Sequence, residues 1–483
     1  MPINYKNSTI LLISIMVGIW LYRLFLLFNL EYDLFFDEAY YYGWSQNLDF
    51  GYYSKPPMLS LLIFLTTWLF GDSVIAIKIG AMLVYPITSI VIYFISKELF
   101  NYKVAFYSAL IFFTLPSVWL SSMIISTDVV LLLFWSLGLL FFIKAIKYNQ
   151  FWQWFGAGVF SGLGLLSKYN FILFLVSAIL VLVLIPSYRK HLKNRYFYMA
   201  IVIAFILFLP NLYWNYTHDF ISFVHTKEIS HIDRELFNFK YFIEFFSAQF
   251  LLFGPILFYF FLVIIFQYKE IKKEKNYLIL FLFSIVMLAF ITFLSLLSRA
   301  FANWAAPAFV SATILVVAYL LKNRKERLLI YSIIIHSLIA IIFFNYHFLA
   351  SFFGIEVSAK MDPFRRVSGW SEISQKINRV HEDYPKTIIL TNSRKETALF
   401  TYYLKQKCYL YNPKKIIENQ YHMTQNMNNE IGRDFLFVSN RGDIDEVSKD
   451  FEDFKKLNFI TTRVDMDYNR SYNIFLLKNF RGY

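Results

Sequence analysis

The sequence predicts a polytopic α-helical membrane protein with a C-terminal soluble α/β or α+β domain, and three observations carry that prediction. Hydrophobic residues make up 58% of the 483 and charged residues only 16%, against about 45–50% apolar and about 25% charged in soluble domains. Apolar runs long enough to cross about 30 Å of hydrocarbon recur along most of the chain, more than a single signal peptide explains. Lysine and arginine alternate in density from loop to loop, as they do when one face of a membrane is cytoplasmic.

Eleven spans are read, at residues 8–30, 73–96, 102–121, 127–144, 152–167, 169–187, 197–215, 240–267, 277–297, 302–321 and 328–350. The segment PMLSLLIFLTTWLF (57–70) is apolar but short, which fits an interfacial or re-entrant helix better than a span. One set of loops carries Lys6, Lys97, Lys103, Lys144, Lys147, Arg189, Lys190, Lys193 and Arg195. It also receives Lys269, Lys272, Lys273, Lys275, Lys322, Arg324, Lys325 and Arg327. The opposite loops hold Lys55, Lys168, Lys227, Arg234, Lys240 and Arg299. Seventeen basic residues against six place the N-terminus in the cytoplasm and the first loop and the tail outside. The expected division is a membrane domain at 1–351, with an outer first loop at 31–72, and a soluble outward-facing domain at 352–483. Within the tail, a charged helical pattern from Trp370 to Val380 and short β-like runs TIILTN, DFLFVSN and YNIFLLKNF support the second part.

Several function classes are disfavoured. A net charge of +13 would suggest nucleic acid in a soluble protein; here the basic residues follow membrane topology instead. The single cysteine, Cys408, forms no internal disulfide, and no HExxH or GxxxxGK[ST] motif occurs. His218, His225 and His231 lie with Asp219, Glu228 and Asp233 in one outer loop, but their spacing fits no usual zinc site, so solvated surface is the preferred reading.

The first outer loop contains FDEAYYYGWSQNLDFGYYSKPP, with Glu31, Asp33, Asp37, Glu38 and Asp49 set against Lys55. Asp37 and Glu38 follow Leu34-Phe35-Phe36 where the chain leaves the bilayer interface, and Tyr40, Tyr41, Tyr42 and Trp44 surround them. A carboxylate partly desolvated by aromatics has a raised pKa and can act as a base toward a hydroxyl. Lys55 precedes Pro56-Pro57, which hold its backbone extended, and a lysine at this depth suits a lipid phosphate. In the short second loop, SSMIISTDVV, Asp128 opens the fourth span. An acid there offsets the helix dipole or serves a membrane-edge site. Lys168 in GLLSKYN and Arg299 before FANWAAPAF divide evenly between anchoring and phosphate binding.

FFDEAYYYGWSQNLDFGYYSKPPM, LFGDS, STDVVLLLFW, GLGLLSKYNFIL, NLYWNYTHDFISF, RAFANWAAPAF and DPFRRVSGWSEI together resemble the dolichyl-phosphate-mannose protein mannosyltransferase-like superfamily. Within it the chain is most similar to bacterial members that include the aminoarabinose transferases of lipid A. The resemblance implies a GT-C fold, a polyprenyl-phosphate (undecaprenyl-phosphate) sugar donor and an inverting transfer in the bacterial inner membrane. The implied acceptor is lipid A, a related glycolipid or a protein, with the site and the tail periplasmic. It implies Asp37, Glu38 and Asp128 as catalytic acids, Lys55 as the phosphate ligand, and Tyr41 and Tyr52 flanking that phosphate, with Lys168 and Arg299 as further cations. It also admits a divalent metal, although Ser54 stands where the aminoarabinose branch tends to have a metal-binding glutamate. The rival classes are a flippase for lipid-linked sugar, whose charges belong near the membrane midplane, and an assembly protein, which leaves the first-loop motif without a purpose.

Overall fold

The computed structural model describes residues 9–30, 32–229 and 237–483. Lys6, Glu31, His231, Asp233 and Arg234, on which parts of the loop readings rest, lie outside them. Among the described residues, seven helices are long and apolar enough to cross a membrane: Thr9–Asn29, Val74–Leu99, Thr127–Tyr148, Arg195–Thr217, Lys275–Leu297, Ala302–Lys322 and Glu326–Phe344.

Three further pairs qualify only when joined across a bend: Tyr102–Thr114 with Pro116–Met123 (52°), Tyr169–Leu184 with Pro186–Lys193 (114°), and Phe239–Leu252 with Pro255–Phe266 (117°). The total is seven, or ten if every bent pair counts as one span, rather than eleven. Phe151–Leu165 has 15 residues, short for a crossing, and the expected span at 240–267 is two helices. The second helix of each bent pair begins at proline, which has no N–H for the preceding turn. At the sharpest bend Gly254 adopts φ +89°, a left-handed conformation that favours glycine. A hydropathy window averages over such breaks and does not see them.

Elsewhere the helix starts follow local chemistry. Ser73 Oγ accepts the Ala76 N–H at 3.1 Å, and Asn101 Oδ1 accepts those of Lys103 and Val104, both at 3.0 Å. One bend is braced by a buried cation of the first span. Arg23 donates to Phe113 O (2.5 Å) and Ser122 Oγ (3.0 Å), and its guanidinium lies 4.2 Å from the ring centres of both Phe113 and Trp119. The short apolar segment after Pro57 forms the 13-residue helix Met58–Phe70, in keeping with an interfacial or re-entrant role.

The tail builds a five-stranded sheet from β1 (Ile388–Thr391), β2 (Tyr409–Leu410), β3 (Phe435–Ser439), β4 (Phe451–Asp465) and β5 (Tyr468–Phe480), in the order β2-β1-β3-β5-β4. β1 runs parallel to β2 and β3, whereas β3–β5 and β4–β5 are antiparallel. The expected runs fall on β1, β3 and β5, and the charged pattern becomes the helix Trp370–Glu382. β4 was not anticipated. Its FEDFKKLNF stretch is largely exposed and lacks the apolar alternation that marks a strand.

This tail is docked on the first loop through specific hydrogen bonds. Asp33 Oδ2 accepts the N–H groups of Trp370 (2.6 Å) and Ser371 (3.2 Å), the first turn of their helix. Tyr403 Oη accepts the Leu34 N–H (2.8 Å), Tyr40 Oη accepts the Gln420 N–H (2.5 Å), and Gln420 Oε1 accepts the Tyr53 N–H (2.7 Å). The first-loop helix (Phe36–Ser45) and the helix Arg394–Tyr403 pack against each other.

Candidate active site

The DEAYY motif folds as the start of the first-loop helix, and a rotation of about 100° separates the jobs of its two adjacent acids. Glu38 is fully buried; its Oε2 accepts the Phe35 N–H (2.8 Å), the reach-back half of a capping box. Its Oε1 accepts the Ile125 N–H (2.8 Å), and Lys78 Nζ lies 3.4 Å from Oε2. With both oxygens engaged, Glu38 holds the first loop to the turn that precedes Asp128. The expectation that it is a catalytic acid alongside Asp37 does not match this geometry. Successive residues of a helix point about 100° apart, so adjacent acids serve different surfaces.

Asp37 faces the tail. Arg394 Nη2 donates to its Oδ1 at 3.3 Å, and the Arg394 guanidinium also lies 5.5 Å from the Phe36 ring centre and 4.8 Å from that of Tyr40. Burial raises the Asp37 pKa above the ordinary carboxylate range, while Arg394 and then Lys55 oppose that shift. Tyr41, one turn on, is pushed well above its ordinary value by burial and by Asp37, so its hydroxyl remains a proton donor.

Lys55 lies within electrostatic reach of Lys168, Asp128, Asp37 and Arg394. Burial, reinforced by Lys168, lowers its pKa to about 8 against the attraction of the two acids. Its ammonium has no hydrogen-bond or ion-pair partner among the described residues. Asp128 is held from both sides: Lys168 Nζ donates to Oδ1 at 2.8 Å and Asn303 Nδ2 to Oδ2 at 2.6 Å. Beside Asp128 a small, mainly apolar cavity of about 40 Å³ is lined by Tyr85, Leu132, Leu252, Asn303 and Phe309.

The structure thus brings together Asp37, Tyr41, Lys55, Asp128 and Lys168 from the expected set and leaves out three: Glu38, committed to Phe35, Ile125 and Lys78, together with Tyr52 and Arg299. Tyr52 is buried; its hydroxyl donates toward Trp44 O (3.2 Å) and Asn47 O (3.3 Å) and accepts the Asp49 N–H (3.1 Å). Its ring stacks on Trp44 at 4.7 Å and 4°. Its hydroxyl is therefore spent on folding the loop, not on a phosphate. Arg299 is exposed, without an ion-pair partner among the described residues. Asn303, four residues later in the same RAFANWAAPAF segment, is the group that reaches Asp128.

Arg394 and Asn303 were not anticipated. An arginine opening a helix sits against the positive end of the dipole, an anomaly that could have singled out Arg394 after the TIILT strand. His225 is not the solvated surface group expected. It packs on Tyr53 at 4.6 Å, and burial, then Lys55 and Arg394, lower its pKa to about 4, so it is neutral at pH 7. His218 stacks on Trp214 at 4.1 Å.

A divalent metal does not fit these side chains. No group of three or more His, Cys, Asp or Glu converges among the described residues. The two acids of the cluster already face Arg394 and Lys168, whose charges would repel a cation.

Residues 54–214 match the Dolichyl-phosphate-mannose-protein mannosyltransferase family. The chain is 31% identical over 398 residues to the lipid A galacturonosyltransferase RgtD of Rhizobium johnstonii, covering 82% of this chain and 83% of that protein. Its fold matches crystal structures of ArnT from Cupriavidus metallidurans, in the apo state and bound to undecaprenyl phosphate. Both matches have a TM-score of 0.65 and cover 98% of each chain, at 11% and 12% identity. Length and fold agree, and the chain belongs to the dolichyl-phosphate-mannose-protein mannosyltransferase-like superfamily of membrane glycosyltransferases, with an ArnT-like GT-C fold.

Proposed function

We propose that this glycosyltransferase moves a sugar from a polyprenyl phosphate to lipid A or a closely related glycolipid at the outer face of the bacterial inner membrane. The observation that supports it most is the cluster of Lys55, Lys168 and Arg394 around Asp37 and Asp128 at the outer ends of the spans. Three cations against two acids leave an excess positive charge where a lipid phosphate lies. The uncommitted Lys55 ammonium is the best-placed ligand for it. The N-terminus is cytoplasmic and the tail periplasmic in this reading, because the basic loops alternate. The membrane part comprises 1–351 and the soluble part 352–483.

The proposed reaction is inverting. An acceptor hydroxyl oxygen attacks the anomeric carbon, the bond from that carbon to the phosphate oxygen breaks, and polyprenyl phosphate leaves with the electron pair. Asp37 takes the hydroxyl proton, a role for which its raised pKa suits it. Lys55, with Lys168 and Arg394 behind it, offsets the charge that grows on the leaving phosphate. Asp128 orients Lys168 through its ion pair. Glu38 positions Asp37 and Asp128 relative to each other through Phe35 and Ile125. The galacturonosyl group in the name of the 31% identical relative makes a uronic acid the first donor sugar to test.

The test is transfer by purified protein in detergent, with undecaprenyl-phosphate galacturonate and lipid A, read by mass spectrometry. A hexuronate added to lipid A supports the reading. Absence of any transfer by folded protein refutes it. A flippase needs a closed compartment and would show no product in detergent.

A further inference from the structure

A polar cavity of about 770 Å³ lies in the tail at the carboxyl ends of the three parallel strands. Asn392 and Ser393 follow β1, Tyr411 and Asn412 follow β2, and Asn440 and Arg441 follow β3, and all six line it. In open parallel sheets this edge is where ligands bind, because successive crossover connections diverge there and leave a crevice. Arg394, whose guanidinium pairs with Asp37, is also part of the lining. The cavity therefore has one wall in common with the transfer site.

We propose that this cavity is the binding site for the saccharide head group of the acceptor. The inference rests on the glycosyltransferase reading and names where its second substrate sits. The lining is chemically mixed: Asn392, Asn412 and Asn440 offer amide donors and acceptors, Lys414 and Arg441 offer cations, and Glu418 and Glu446 offer carboxylates. The side chains of Lys414 and Arg441 have no hydrogen-bond or ion-pair partner among the described residues. A lone phosphate would call for cations and N–H or O–H donors, not for carboxylates. A polyhydroxylated sugar with a charged substituent uses donors, acceptors and both signs of charge. The small cavity beside Asp128 is mainly apolar and sits among the spans, so it does not compete for such a ligand. A head group seated at the sheet edge with one sugar against Arg394 presents a hydroxyl toward Asp37. That explains why a soluble tail is hydrogen-bonded so closely to the first loop.

The probe is the lipid-free phosphorylated glucosamine disaccharide, titrated by calorimetry into the full-length protein in detergent without donor. Saturable binding is expected, weakened at least tenfold by Asn440→Trp, whose indole intrudes into the cavity at the end of β3. Arg441→Ser is expected to raise the acceptor KM severalfold, with the donor KM unchanged. Undecaprenyl phosphate binding, measured on the same preparations, confirms that each variant is folded. Disaccharide binding that Asn440→Trp leaves intact, or no saturable binding by wild type, overturns the inference. Failure of wild type to transfer any sugar overturns the underlying reading instead, so the two failures are separable.

Discussion

The lowered pKa of Lys55 makes a quantitative demand on the pH dependence of donor capture. Its ammonium titrates near 8 rather than at 10.5 because burial and Lys168 outweigh the attraction of Asp128 and Asp37. That difference corresponds to a penalty of roughly 3 kcal/mol on the charged form, at about 1.4 kcal/mol for each tenfold step. The proposed donor, a polyprenyl phosphate sugar, carries a phosphodiester charge, and a uronate adds a carboxylate; both groups ionise well below about pH 6, so the donor charge is constant from there to about pH 10. The sign follows directly. Lys55 is protonated below about 8 and neutral above it, so capture of the donor is complete at lower pH and is lost as pH rises. For wild type, kcat/KM for the donor should fall about tenfold per pH unit above that point. The fall in kcat should begin at higher pH, because bound phosphate stabilises the ammonium. Lys55→Arg keeps its charge over the whole range and should flatten the kcat/KM limb. Lys55→Met should cost about 10²-fold or more in kcat/KM at pH 7, the scale expected for removing one partner of a buried charge pair. The assay is initial-rate transfer at subsaturating donor in detergent, from pH 6 to pH 10. A wild-type profile that is flat to pH 9.5, or an identical falling limb in Lys55→Arg, refutes this assignment.

Asp37→Asn should retain membrane insertion and folding, checked by size-exclusion profile, yet reduce transfer by about 10²–10⁴-fold. Arg394→Met removes the larger of the two cations that oppose the raised Asp37 pKa. The acid limb of kcat should therefore move to higher pH, which a pH–rate profile on the purified variant checks. Glu38→Gln leaves Lys78 buried without its charge partner and should lower stability by about 3–5 kcal/mol. Adding Lys78→Met should recover part of the lost thermal midpoint, and no recovery would contradict the ion-pair account. Gly254→Ala places a methyl group 1.9 Å from His336 Nε2 at a left-handed φ, so it should reduce the yield of folded protein in detergent.

Much of the site was legible because the chemistry was local. Asp37, Tyr41 and Lys55 lie within the first loop, Asp128 opens a helix long enough to span, and the charge alternation of the loops predicts one face for them. The same local reading failed where it needed side-chain direction. Asp37 and Glu38 are neighbours in sequence, yet the helix turns Glu38 into the protein, toward Ile125 and Lys78. The resemblance to the aminoarabinose branch implies Tyr52 beside the phosphate, but the Tyr52 hydroxyl closes the loop on Trp44 and Asn47.

Composition and charge placement determined by themselves that the chain is a multi-pass membrane protein with a structured tail. The first-loop motif alone pointed to lipid-phosphate chemistry. Tertiary structure decided which of the charges meet. Arg394 lies 357 residues from Asp37 in the chain, Asn303 lies 175 from Asp128, and no periodicity or spacing rule spans such distances. It also decided where helices break, because a bend at Pro116, Pro186 or Gly254 costs hydrogen bonds that only neighbouring groups, such as Arg23, can replace. The sequence carries the inventory of charges, and packing selects the few that share one desolvated pocket.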